Sequence, residues 1–398
     1  MQQLTAIFNT LEQLKNEKNN FFFSNYPDFA SNDYRLARNF LLAYQRNEDT
    51  FRTYRRELER YLQWLWVIKK QSLLTIKREA IEEYFSFCQN PPITWIGKRQ
   101  VARYILKNGI EIPNPDWRPF VRELPKIKAR NMIKTEFLSE AALKTIFAVL
   151  GSFYTFLMQE DKIFYNPVAL IKQKNSYVKK KSNRVIRRLS TLQWKYVLRA
   201  ANKLSDHDPN FHNRTLFIVE ALYGMYLRVS ELVAKPRWTP QMKDFYHDEE
   251  GNWWFKTVSK GNKERDISVS DAMLDALKRY RISLGLSELP SLLEDTPLIP
   301  NFHHVGAISD PRYIRRLVQK CFDLAYDLMI KEHPINLAEE LKIATVHWLR
   351  HTGISDDVKF RPREHVRDDA GHSSSAITDK YIDVERRERH ATAKRKTF

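Results

Sequence analysis

Between Thr345 and Tyr381 the chain gathers residue types that handle phosphate and protons: Thr345-Val346-His347-Trp348-Leu349-Arg350-His351-Thr352-Gly353, then Ala370-Gly371-His372, then Tyr381. Residues three and four apart share a helix face, so His347, Arg350 and His351 point one way while Val346 and Leu349 turn toward a core. A guanidinium offers two parallel hydrogen bonds to phosphate oxygens, and a phenol brought over such a cationic patch is a candidate nucleophile. Taken singly these residues say little, because the sequence has 18 Tyr and 11 His, most of which serve packing or surface. Their combination carries the reading. His347 and His351 also have the i, i+4 spacing of a zinc helix. Trp348, however, stands where a metalloprotease helix has its glutamate, and the intervening Arg350 repels a cation.

His347-x-x-Arg350, then Gly371-His372, then Tyr381 resembles the C-terminal signature of the tyrosine recombinases, the phage-integrase family that includes Xer-like site-specific recombinases. Two upstream motifs fit the same resemblance. Leu227-Arg228-Val229-Ser230-Glu231-Leu232 matches the first catalytic-arginine motif, and Lys260-Gly261-Asn262-Lys263-Glu264-Arg265 matches the hairpin that carries the catalytic lysine. Lys260 is the matching residue and Lys263 the fallback. By itself Arg228-x-x-Glu231 reads as an ordinary surface ion pair, and a hairpin-tip lysine as edge protection. The sequence departs from the family between Arg350 and His372, where Asp356, Asp357, Arg361, Pro362, Asp368 and Asp369 replace a mostly apolar stretch.

The resemblance implies a catalytic set of Arg228, Lys260, His347, Arg350, His372 and Tyr381. In that set Arg228, Arg350 and His372 clamp one scissile phosphodiester, and Tyr381 attacks it to leave a 3′-phosphotyrosyl link and a free 5′-hydroxyl. His347 is the general base for the phenol and Lys260 the general acid for the departing oxygen. No cofactor and no metal is implied, because the phosphotyrosyl bond conserves the energy of the bond cleaved. The implied partner is double-stranded DNA with specific sites, bound by four copies on two sites, with a monomer or dimer off DNA. A type IB topoisomerase-like nicking-closing enzyme uses the same groups, and a non-catalytic DNA-binding protein of the same fold is the rival of a different class.

Composition agrees with a polyanionic partner. The 398 residues carry 66 Lys+Arg against 48 Asp+Glu, a formal net charge of +18, which favours nucleic acid ahead of an acidic membrane surface. No run of about eighteen apolar residues is evident, so no membrane span is expected. The first residues lack the apolar core of a secretory signal. Cys88 and Cys321 are far apart and read as reduced thiols, giving a cytoplasmic, nucleoid-associated expectation.

Elements that position the site follow from periodicity. The predicted fold is mainly α with a small antiparallel β-sheet: an N-terminal helical core-binding, SAM-like domain over residues 1–172, a basic linker over 173–188, and a mixed α/β catalytic domain over 189–398. Helices are predicted at Gln2–Asn19, Asn32–Gln45, Asp49–Lys70, Ile76–Cys88, Ser139–Gln159, Thr191–Leu204, Thr215–Tyr226, Asp271–Leu284 and Asp310–Met329. The first is an amphipathic helix on a neighbour, or an arm to another subunit. The helix Asp49–Lys70 carries Arg52, Arg55, Arg56 and Arg60 away from its apolar face, and Arg312, Arg315 and Arg316 share a face suited to DNA. Asn108 to Pro125, rich in Pro and Asn, is predicted as irregular loop. Lys243 to Val269 alternates as three short strands with tight turns. The basic run from Lys172 to Arg188 reads as a linker along phosphates, or as nuclear targeting. His303-His304 lack a ligand partner, and the basic tail beyond Tyr381 reads as a docking segment or a phosphate-binding tail.

Overall fold

The computed structural model describes residues 4–16, 25–45, 47–121, 138–172, 187–236, 238–259, 263–301, 306–381 and Lys394, with the side chains at 170, 172, 376 and 380 excepted. Lys260, His303-His304, most of the basic run before Arg187 and all of the tail after Tyr381 except Lys394 lie outside the described residues. The chain divides into two compact units, Met1–Ser182 and Asn183–Phe398.

The first unit contains α1 (Leu11–Lys15), α2 (Ala30–Ala43), α3 (Glu48–Gln63), α4 (Arg78–Gln89), α5 (Glu140–Gln159) and α6 (Ala169–Lys172), with short strands β1 (Ile96–Gly97), β2 (Tyr104–Lys107), β3 (Ile110–Pro113) and β4 (Phe120–Val121). Its core is aromatic, built on Phe40, Tyr61, Trp64, Trp66, Tyr84 and Phe153. Two buried polar clusters are matched: the Tyr61 and Tyr154 hydroxyls meet at 2.6 Å, and Asp33 accepts from Trp66 Nε1, Ser72 Oγ and the Leu73 amide.

Two expectations for this unit are corrected. Among the described residues, the predicted first helix is helical only over Leu11–Lys15. Residues 4–10 carry no regular structure, yet Leu4, Ile7 and Phe8 are buried. The reason is polar. The buried Glu59 carboxylate accepts from the amides of Ile7 and Phe8, and Gln63 Nε2 donates to Thr5 O, which gives a non-helical backbone its partners. The predicted loop after Asn108 contains an antiparallel hairpin, with Lys107 opposite Ile110 and with Asn108 and Gly109 both at positive φ. The Asn-Gly pair was the readable signal. Finally, α5 is long and apolar enough to cross a membrane by length and composition; here its Leu143, Ile146, Leu150 and Phe153 fill the core. Of the arginines on α3, Arg60 is buried, paired with Glu57 at 2.7 Å and stacked 4.1 Å over Phe120, whereas Arg52 and Arg56 stay at the surface.

The second unit contains α7 (Thr191–His207), α8 (Pro209–Gly224), β5 (Phe245–His247), β6 (Trp253–Val258), β7 (Glu264–Ser268), α9 (Asp271–Ser283), α10 (Pro311–Glu332), α11 (Ile335–Ala338), α12 (Val346–Asp357), α13 (Arg363–Ala370) and α14 (Ser375–Thr378). A Ser190–Gln193 capping box starts α7, and Asp208 with Pro209 starts α8. The three strands form the predicted antiparallel sheet in the order β5-β6-β7, with Phe255 opposite both Phe245 and Ile267 on its buried face. Cys88 and Cys321 are buried free thiols, one in each unit.

Helices α8 and α12 carry the site and touch backbone to backbone. A Cβ on Gly353 would lie 2.1 Å from Tyr223 O, so only glycine fits. Gly353→Ala is therefore expected to force α12 off α8 and lower unfolding free energy by about 3 kcal/mol in a denaturant titration. A wild-type midpoint would refute this.

Candidate active site

Arg350 lies mid-helix on α12 and is 4% exposed. Its Nη1 donates to Tyr226 O and its Nη2 to Ala370 O at 2.6 Å. Burial, then the neighbouring Arg228 charge, pulls its pKa to about 10, so it remains cationic at neutral pH. Two carbonyls satisfy only part of a guanidinium's five N–H donors, leaving further donor capacity for an oxyanion.

Arg228 caps the 3₁₀ turn Val229–Glu231. Its amide donates to Glu231 Oε2 at 2.8 Å, its Nη1 to Glu231 Oε1 at 3.1 Å, and its Nη2 to Gly371 O at 3.5 Å. The fully buried Glu231 also accepts from Arg265 at 2.8 and 3.0 Å and from Ser259 Oγ at 3.1 Å. Burial raises its carboxyl pKa, but the hydrogen bonds and charges of Arg265 and Arg228 outweigh that and hold it below the usual value. A spacing that reads as a surface pair is thus an internal hub, with Arg265 from β7 as the partner that sequence reasoning missed.

Gly371 ends α13 in the left-handed conformation, φ 63°, and a Cβ there would sit 3.0 Å from the Arg265 side chain. Arg265 Nε donates to Asp369 O at 3.0 Å. The acidic stretch that departs from the family also finds its purpose here. Arg361 donates to Tyr226 Oη at 3.0 Å, Ser268 Oγ at 2.9 Å, Asp357 Oδ2 at 3.3 Å and Asp369 Oδ2 at 2.6 Å. Tyr226 in turn donates to Asp357, and Tyr223 to Asp356 at 3.0 Å. Burial lowers the Arg361 pKa, but its bond to Asp369 and the charges around it raise it above the ordinary value. A polar strut therefore stands beside the apolar cluster of Tyr226, Ile354, Val366, Ala370 and Tyr381 and ties α12, α13 and β7 together.

Tyr381 is 7% exposed, in the 3₁₀ turn Asp379–Tyr381 that follows α14. Its hydroxyl lies 2.7 Å from His351 Nδ1. Its ring stacks on His372 at 5.6 Å between centroids, and His372 Nδ1 meets Thr378 Oγ1 at 2.9 Å. Burial raises the phenol's pKa, while Arg350 and then Arg228 pull it down less strongly, so the pocket does not favour phenolate. His351 and His372 are each pulled down to about 4. Burial leads in both, followed by Arg350 and His347 for the first, and by Arg350 and Arg228 for the second.

Arg228, Arg350, His372 and Tyr381 thus meet at one pocket. His347 is exposed at the rim, its pKa lowered by burial and then by Arg315, Arg350 and Arg228; the imidazole against the phenol is that of His351. The helix-face reading put His351 on this face but left it out of the catalytic set. Lys260 lies outside the described residues; Ser259 beside it donates from its amide to Lys263 O at 2.8 Å, and Lys263 is exposed. On α10, Arg312, Arg315 and Arg316 are exposed. Among the described residues no group of three or more His, Cys, Asp or Glu is placed to hold a metal ion.

Two outcomes follow from this geometry. Arg361→Leu leaves the carboxylates of Asp357 and Asp369 short of a partner and is expected to cost about 2 kcal/mol of stability, read as a lower denaturant midpoint. His351 and His372 have folded pKa values near 4 against an ordinary 6.5, so the unfolded chain binds more protons between those limits. Their contribution is fully present above pH 6.5 and is lost as pH falls toward 4. The melting temperature should therefore drop through that window, and His351→Gln or His372→Gln should flatten the drop.

No protein-family profile matches the chain. Over 246 residues, 60% of this chain and 67% of its relative, it is 27% identical to tyrosine recombinase XerC of Chlorobaculum parvum (strain DSM 263 / NCIMB 8327). Its fold is similar to that of XerH site-specific recombinase bound to palindromic difH substrate in a post-cleavage complex, with TM-score 0.57, 15% identity and coverage of 96% of this chain and 94% of that one. It is also similar to a lambda integrase dimer bound to a COC′ core site, with TM-score 0.50, 14% identity and coverage of 92% and 79%. In motif order, fold and sequence the chain is similar to the tyrosine recombinases.

Proposed function

We propose that this chain is a site-specific DNA recombinase that cleaves and rejoins strands through a phosphotyrosyl intermediate on Tyr381. The observation that carries the proposal is the meeting of two guanidiniums, an imidazole and a buried phenol at one pocket, with Arg228 and Arg350 both acting electrostatically on Tyr381. Arg228 and Arg350 hold the non-bridging oxygens of a scissile phosphodiester and stabilise the charge gained as phosphorus becomes pentacoordinate. His372 donates to the same oxygens, and His347, near both arginines, borders the phosphate. Tyr381 Oη bonds to phosphorus and the 5′-oxygen leaves, taking its proton from Lys260. Attack by the 5′-hydroxyl of another strand reverses the chemistry and exchanges partners.

The net charge of +18 and the exposed arginines at the start of α10 suit a duplex backbone. Four copies on two DNA sites, with a cytoplasmic, nucleoid-associated location, complete the proposal. The division into a core-binding unit and a catalytic unit is part of it.

Incubating the full chain with a pool of nicked duplexes and resolving products on a denaturing gel tests this. Wild type should form a covalent protein–DNA adduct that Tyr381→Phe abolishes, and Arg350→Ala should slow its formation about 100-fold or more. Absence of any adduct across the pool would leave a non-catalytic DNA-binding protein, and adducts without crossed-strand products from two-site substrates would indicate nicking and closing.

A further inference from the structure

The imidazole that touches the nucleophile is not the one expected to deprotonate it. We propose that His351 is a catalytic residue and the general base for Tyr381, an inference that rests on the recombinase reading and deepens it. The Tyr381 hydroxyl and His351 Nδ1 are 2.7 Å apart, with ring centroids at 5.5 Å. The phenol is buried, so its proton needs a protein acceptor, and Nδ1 of a neutral imidazole is one. The other two imidazoles are placed for other work. His372 stacks on the ring face and has its Nδ1 engaged with Thr378, and His347 stands 6.5 Å from His351, exposed at the rim.

In the step, the Tyr381 O–H bond breaks and an N–H bond forms on His351. The phenolate oxygen bonds to phosphorus, the P–O5′ bond breaks, and its electron pair leaves on the 5′-oxygen, which takes a proton from Lys260. Religation runs the transfers backward, so both groups return to their starting states. The groups facing His351 are Arg350 and His347 on its own helix, with Tyr381 and His372 across the pocket. Burial and then Arg350 and His347 depress His351, and a phosphodiester anion bound between the guanidiniums offsets the part that the cations contribute.

Single-turnover adduct formation on the nicked-duplex pool, followed from pH 5.5 to pH 9, tests the assignment. His351→Gln should be about 100-fold slower than wild type near pH 6.5, with the gap narrowing as rising pH ionises the phenol directly. His347→Gln should show no such narrowing. A His351→Gln protein with wild-type melting temperature, rate and pH profile overturns the proposal while leaving the recombinase reading standing. If wild type itself forms no adduct, that reading fails and the proposal with it. A second measurement needs no folded variant of His351: ¹⁵N-histidine spectra of the wild-type chain should place the His351 proton on Nε2, leaving Nδ1 as acceptor, with that Nδ1 signal shifting in Tyr381→Phe. A proton found on Nδ1 overturns the proposal.

Discussion

The site depends on holding a guanidinium away from water before any substrate arrives. Removing an unpaired cation from solvent costs several kcal/mol, so Arg350 is tolerable only because the carbonyls of Tyr226 and Ala370 receive it. Arg228 leans on the next carbonyl, that of Gly371. Those oxygens come from opposite ends of the second unit's sequence, and their spacing must be fixed. Two devices fix it: the backbone contact of Gly353 with Tyr223, and the Arg361 cluster that ties Tyr226, Asp357, Asp369 and Ser268 together. The acidic stretch that looks foreign in the sequence is thus the local means of meeting a general requirement.

Electrostatically the empty pocket is unfinished. Its imidazoles are neutral because they are buried and then because cations stand beside them, its phenol is protonated because burial outweighs the pull of those cations, and its arginines repel one another. Glu231 counters only part of this, because its carboxylate is shared among Arg228, Arg265 and Ser259. A phosphodiester supplies the missing negative charge at the point where it reacts.

Much of this was legible from residue spacing. Helices α7 to α10 and α12, the three-stranded sheet and the His347, Arg350, His372, Tyr381 register follow from periodicity, turn residues and motif order. What was not legible depends on partners remote in sequence. Residues 4–10 have helical spacing, yet Glu59 holds them non-helical. Arg60 looked solvent-facing until Phe120 and Pro119 closed over it. Arg265 carries no local mark of its bond to Glu231, and His351 is singled out only once Tyr381 folds back over α12. The Asn108-Gly109 hairpin differs in kind: its signal was local, and the prolines around it masked it.

The receptors for the two arginines, at positions 226, 370 and 371, are peptide oxygens, which every amino acid possesses. What inheritance must preserve there is the path of the polypeptide rather than particular letters. Distant cousins of this protein can therefore share the same cradle while showing nothing alike in an alignment of that stretch, and an acid-rich lineage can stand beside a greasy one without either having changed how the guanidiniums are seated.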